Sequence, residues 1–126
     1  MVGGYSEIAQ NHFQYPRNVG MLLEASATGQ AENPASGASV VLHLSVTCGV
    51  IDKAMFQAQG CAATIAAGSM VTELLIGNPL CFAEKLTRAD VEKALGGLPP
   101  TRKHAADLVV EAVKAALVHL ASRAQE

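Results

Sequence analysis

Aromatic side chains are almost absent from this chain. There is no tryptophan, and Phe, Trp and Tyr together make up 4% of the 126 residues. The core must therefore be assembled from Ala, Val, Leu and Ile. Charge is scarce as well: 16% of residues are Asp, Glu, Lys or Arg, with 9 basic against 11 acidic and a net charge of −2. A nucleic-acid partner requires a basic face, and this balance does not supply one. No apolar run reaches the roughly 18 residues that a membrane span requires, so no membrane partner is expected. The N-terminus lacks the charged-then-apolar pattern of a secretory signal. Three cysteines, an odd number, provide no disulfide framework. Reduced thiols and a cytoplasmic location are the expectation.

What is present is enough apolar material for a real core. Half of the residues are hydrophobic, and 126 residues is the length of one domain, expected to span 1–126. Residues 6–13 read as a short helix, with Ser6 as N-cap and Pro16 as the stop. The small, polar stretch that follows contains a weak edge strand near 24–30. Two better strands come next. In 40–46, Val40, Leu42, Leu44 and Val46 face one way, opposite Val41, His43 and Ser45. In 50–58, Val50, Ala54, Phe56 and Ala58 oppose Lys53, Gln57 and Gln59. This period of two, broken at Cys48-Gly49, predicts an antiparallel hairpin with one buried face.

Everything after Cys61 reads as helical. Residues 62–76 hold one charge, Glu73, which predicts a largely buried helix ended by Gly77-Asn78-Pro79. Short helices are expected at 82–85 and 90–95, and a long final helix at 103–122. The sum is an α+β fold: a small three-stranded antiparallel sheet with helices on one face and a long C-terminal helix.

Four blocks stand out in order. They are Tyr5…His12-Phe13…Pro16-Arg17-Asn18-Val19-Gly20, Asn33-Pro34-Ala35-Ser36-Gly37-Ala38, Gln59-Gly60-Cys61-Ala62-Ala63, and Leu98-Pro99-Pro100-Thr101-Arg102-Lys103-His104-Ala105. Together they resemble the iron–sulfur cluster scaffold family, the IscU proteins and the N-terminal domain of NifU. The resemblance runs from Tyr5 to about Leu120. That family reads N-P-x-C-G-D, then G-C, then P-P-x-(K/R)-x-H-C, and its three cysteines with a nearby aspartate or histidine hold a nascent [2Fe–2S] cluster. Here Ser36 stands at the first cysteine, Ala38 at the aspartate and Ala105 at the third cysteine, while Cys61 and His104 match.

The resemblance implies a [2Fe–2S] cluster, or an iron or zinc ion, at Cys61, His104 and Ser36. The missing ligands imply that one chain does not hold a cluster tightly, with no bound group as the alternative. Iron in such a cluster takes thiolates, four ligands in all. An alcohol such as Ser36 binds iron poorly until ionised, and Ala38 and Ala105 bind nothing. Two copies would pool two Cys61 thiolates and two His104 imidazoles, so a homodimer is one expectation.

Two readings of Cys61 stand. At a helix start its thiolate is favoured, and by resemblance it would accept persulfide sulfur from a cysteine desulfurase. Equally, it is a small buried hydrophobe. His104 is either a remnant ligand or a helix-start histidine bonded nearby. Leu98, Pro99, Pro100, Thr101 and Arg102 resemble the L-P-P-V-K segment through which IscU-type scaffolds engage an Hsp70-class chaperone; the other reading is a stiff connector. Cys48 and Cys81 match no ligand. His12 is expected to pack or cap, and His43 and His119 have no ligand spacing with Cys61. Ser36, Ser39 and Ser69 lack an obvious His/Asp arrangement, and no phosphate-cradling glycine loop is present. No enzyme activity is expected.

Overall fold

The computed structural model describes residues 4–124. Helix α1 (Glu7–Gln14) leads into strands β1 (Ala27–Asn33), β2 (Ala38–Thr47) and β3 (Val50–Gln59). Helices α2 (Ala62–Leu75), α3 (Leu80–Lys85), α4 (Arg88–Ala94) and α5 (His104–Ala124) follow, with a 3-10 turn at Pro100–Arg102 before α5. The sheet is antiparallel in the order β1-β2-β3, as the hydrophobic alternation predicts.

Strand β1 begins three residues later than the expected 24–30. Its inward side chains are Ala27, Gly29 and Ala31, which carry too little apolar signal to mark a strand. They are small because α5 crosses directly above them. A Cβ at Gly29 would lie 2.1 Å from the Ala112 carbonyl oxygen. Of the helix stripe that the spacing predicts, Leu108, Val109, Ala112, Val113 and Ala116 are buried and Leu117 and Leu120 half-buried.

The phase of β3 differs from expectation at its start. Val50 is 38% exposed, while Ile51 is fully buried. Ser45 pairs with Lys53 but Val46 pairs with Ile51, leaving Asp52 as an extra residue. A bulge of this kind shifts the inward set by one position. Beyond it the expected alternation resumes, with Ala54 and Phe56 inside. The Phe56 ring occupies the space that a side chain at position 68 of α2 would fill: a Cβ there would meet Cδ2 at 2.5 Å. Burial of this one ring contributes roughly 2–3 kcal/mol.

Helix α1 starts where Ser6 Oγ accepts the Ala9 N–H at 3.0 Å. The Ser6 hydroxyl also donates to the Leu95 carbonyl, fixing α1 to the end of α4. The outer edge of β3 is partly covered, since Gly20 N–H donates to the Phe56 carbonyl and Phe56 N–H to the Asn18 carbonyl, both at 2.8 Å. Residues 21–24 then lie beside Ser45 and Lys53 on the way to β1. Helix α4 opens on a capping box between Thr87 and Asp90. It starts at Arg88 and α3 at Leu80, each two residues earlier than expected.

Candidate functional site

Antiparallel pairing brings the second and third of the four sequence blocks to one end of the sheet. Asn33 pairs with Ala38 across the β1–β2 turn, and Ser39 pairs with Gln59 at the end of β3. The 34–37 turn and the Gly60-Cys61 corner are therefore neighbours. Within the turn, Asn33 Oδ1 accepts the Ala35 N–H at 3.0 Å and its carbonyl accepts the Gly37 N–H at 2.8 Å. Gly37 has φ +77°, a left-handed conformation that glycine adopts without strain. Ser36 is exposed, and its Oγ accepts the Ala38 N–H at 3.2 Å.

Cys61 is the N-cap residue of α2, extended at φ −82° and ψ 176°, and its side chain makes no capping hydrogen bond. The sulfur lies 3.7 Å from Thr64 Oγ1. Partial burial pushes the thiol up. The Thr64 N–H and hydroxyl, the Ala63 N–H and the Arg102 guanidinium together outweigh that, and the thiol sits below its ordinary value. Cys61 is half-buried against the core, so both readings of it stay open.

His104 is the first residue of α5. It lines a shallow groove of about 350 Å³ with Glu32, Asn33, Pro34, Asp107, Leu108 and Glu111. It therefore faces the β1–β2 turn that carries Ser36. Ala38 is 3% exposed and Ala105 is fully buried, so these two positions offer a methyl group and no donor. Among the described residues, no group of three or more His, Cys, Asp or Glu side chains is placed to share a metal ion.

In the Leu98–Arg102 segment, Leu98 is buried in the core. Pro100, Thr101 and Arg102 are exposed on the 3-10 turn. Arg102 is the link between this segment and Cys61, because its charge is felt at the sulfur. Cys48 lies exposed in the β2–β3 turn and Cys81 exposed in α3. His43 is buried beside Gln57 Oε1 at 3.2 Å.

One arrangement escaped the sequence. Ser69, for which no partner was evident, is 2.7 Å from His12 Nδ1, and His12 Nε2 is 3.1 Å from Glu73 Oε1. Ser69 Oγ also accepts the Arg17 N–H at 2.9 Å. Burial and the Arg17 charge hold the His12 imidazole below its ordinary pKa, with Glu73 opposing them. The order Ser–His–Glu is that of a nucleophilic triad, but Ser69 is fully buried. The group ties α1 to α2, which is packing of the kind expected for His12. Ser69 and Glu73 are one turn apart on α2, and only the docking of α1 brings His12 to both; no local signal announces it.

A profile of the NifU-like N terminal domain matches residues 4–126. The chain is 40% identical over 114 residues to iron-sulfur cluster assembly scaffold protein IscU 1 of Archaeoglobus fulgidus, covering 90% of this chain and 74% of that protein. It is 35% identical over 123 residues to the IscU scaffold protein of Escherichia coli K12, covering 94% and 95%. The crystal structure of a NifU-like protein (N-terminal) from Brucella abortus superposes with a TM-score of 0.76 at 15% identity, covering 94% of each chain, a likeness of fold. The blocks read from the sequence and the placement of Cys61 at the head of α2 agree with these matches: the chain belongs to the NifU-like N-terminal domain family.

Proposed function

We propose that this chain, as one NifU-N-like domain, takes part in iron–sulfur cluster assembly as a scaffold relative that does not hold a [2Fe–2S] cluster stably. It is a carrier or docking protein of the cytoplasm and not an enzyme. The observation that carries this reading is the donor set. One thiolate, Cys61, and one imidazole, His104, are the donors left at the positions that match the family's motif, while the buried Ala38 and Ala105 present only methyl groups. Four ligands complete a cluster iron pair's outer coordination, and they are ordinarily thiolates. The cluster is cargo in this chemistry, and the residues present do not fit it within one chain.

The test is anaerobic reconstitution with iron and sulfide, beside a Cys61→Ala control. The expected result is no stable cluster per chain and no visible charge-transfer bands, with the protein folded. Uptake that depends on Cys61 would mean ligands pooled across a homodimer and would restore the ordinary scaffold role.

A second reading is favoured by the depressed Cys61 thiol and the nearby Arg102 charge. The Cys61 thiolate attacks the outer sulfur of a desulfurase persulfide. The desulfurase sulfur–sulfur bond breaks, its cysteine leaves as thiolate, and a Cys61 persulfide forms. The electron count is unchanged and no oxidant is required. The exposed Pro100, Thr101 and Arg102 are the residues through which an Hsp70-class chaperone would be engaged. Mass spectrometry after mixing with a desulfurase and cysteine is expected to show one added sulfur on the Cys61 peptide. Its absence under conditions that load an IscU control would remove the relay.

A further inference from the structure

The edge of the sheet at β1 is closed only at its start. Strand β1 pairs with β2 alone, so alternate residues turn their N–H and C=O groups outward. Thr28 N–H donates to His119 Nδ1 at 3.0 Å, which identifies Thr28 as outward-facing. Two and four residues on, Gln30 and Glu32 face the same way. Arg123 Nη1 donates to the carbonyls of Ala25 at 2.9 Å and Ser26 at 2.7 Å. Two side chains of α5, one turn apart, thus cap the edge from Ala25 to Thr28. One and two turns earlier on the same helix stand Ala115, which has no polar side-chain atom, and Glu111, whose carboxylate makes no hydrogen bond to the β1 backbone among the described residues. Among the described residues, no side-chain hydrogen bond reaches the outward backbone of Gln30 or Glu32.

We infer that this open part of the edge is a docking edge for an extended, lysine- or arginine-bearing segment of a partner protein. The unpaired N–H and C=O groups fit a strand laid alongside β1. The chemistry of the occupant follows from the groove that continues the edge toward α5. Glu32, Asp107 and Glu111 contribute its carboxylates. Arg88 meets Asp107 at 3.3 Å, and no ion pair satisfies Glu32 or Glu111 among the described residues. Glu32 lies on the sheet face away from α5 and Glu111 on α5 itself, so a basic side chain on one face of an added strand would reach Glu32 and one on the other face would reach Glu111. A second copy of this chain is disfavoured at the same place, because it would bring four of these glutamates together. The edge does not contain Cys61, so this inference stands or falls independently of the sulfur chemistry.

The test uses ¹⁵N-labelled full chain and a synthetic peptide, acetyl-Lys-Val-Lys-Val-Lys-Val-amide. The controls are its fully N-methylated form and the same peptide with Glu for Lys. Saturable binding with slowed amide exchange at Gln30 and Glu32 is expected, weakened at least about tenfold by N-methylation and abolished by the Glu peptide. Gln30→Pro removes only an outward N–H, which an edge strand tolerates, and should weaken binding similarly. Should that variant fold poorly, Glu32→Lys with Glu111→Lys leaves the backbone intact and should give the same loss. Equal binding of the N-methylated peptide, shifts confined to another surface, or no binding at all would overturn the inference. So would exchange protection at Gln30 and Glu32 that rises with protein concentration in the absence of peptide, which would assign the edge to a second copy.

Discussion

Gly29 of β1 and Ala112 of α5 meet backbone to backbone: a Cβ at position 29 would fall 2.1 Å from the Ala112 carbonyl oxygen and 2.4 Å from the Ala116 nitrogen. Neither neighbour is the flexible end of a side chain, so nothing can swing aside. Gly29→Ala should force α5 off the sheet and cost about 3 kcal/mol or somewhat more. Gly49→Ala meets open space and strains only a positive φ of +77°, at about 1 kcal/mol. Urea unfolding of both variants checks this; a Gly29→Ala loss no larger than that of Gly49→Ala would refute the close approach.

The buried His12 links pH to stability. Burial lowers its pKa below 6.5, the Arg17 charge lowers it further, and Glu73 opposes them without prevailing. Below 6.5 the unfolded chain takes up a proton before the folded one. Stability is therefore full above 6.5 and declines as pH falls from there through the folded value. His12→Gln should flatten this decline and, by leaving Ser69 or Glu73 with a poorer partner, cost about 1–2 kcal/mol at pH 7.5. Thermal melts across pH 5 to 8 would show it, and an unchanged pH slope in the variant would assign the decline to other groups.

Cys61 should react with iodoacetamide at lower pH than its ordinary thiol value allows, since the Thr64 and Ala63 groups and Arg102 favour its thiolate. Thr64→Val and Arg102→Ala should each move its alkylation profile to higher pH. Peptide mass spectrometry reads Cys61 apart from the exposed Cys48 and Cys81. A profile indifferent to both substitutions would leave Cys61 a packing residue.

Restoring thiolates should restore a cluster. Ala105 is fully buried at the head of α5, a setting that accepts cysteine as a small hydrophobe. Ser36 is exposed on its turn. The double change Ser36→Cys and Ala105→Cys brings the thiols at the site to three. Anaerobic reconstitution should then give visible charge-transfer bands, lost on Cys61→Ala. A folded double variant that stays colourless would mean that the turn and the two helix starts do not converge closely enough.

Much of the fold was legible because it is written in local chemistry. The Ser6 cap, the alternation Val40, Leu42, Leu44 and the α5 stripe each announce an element through spacing alone. Strand β1 was misplaced because Ala27, Gly29 and Ala31 are chosen for contact with α5, which local spacing cannot show. The phase at Val50 and Ile51 was misread because a bulge depends on how two strands pair, and pairing is a long-range event. At the site, Cys61 and His104 could be named from their blocks, while the Ser69–His12–Glu73 contact could not.

Local chemistry settles the order and type of the elements, the scarcity of donors at Ser36, Ala38 and Ala105, and the placing of Cys61 at a helix start. These are properties of residue type and of neighbours a few positions apart, which propensity and periodicity govern. The folded arrangement is what lets Arg102 lower the Cys61 thiol, His119 cap the Thr28 N–H at the start of β1, Arg123 cap Ala25 and Ser26 just before it, and the rest of β1 open beside Glu32 and Glu111. Electrostatic fields and unpaired strand edges depend on distances between residues far apart in the chain, and those distances exist only once α5 has docked on the sheet.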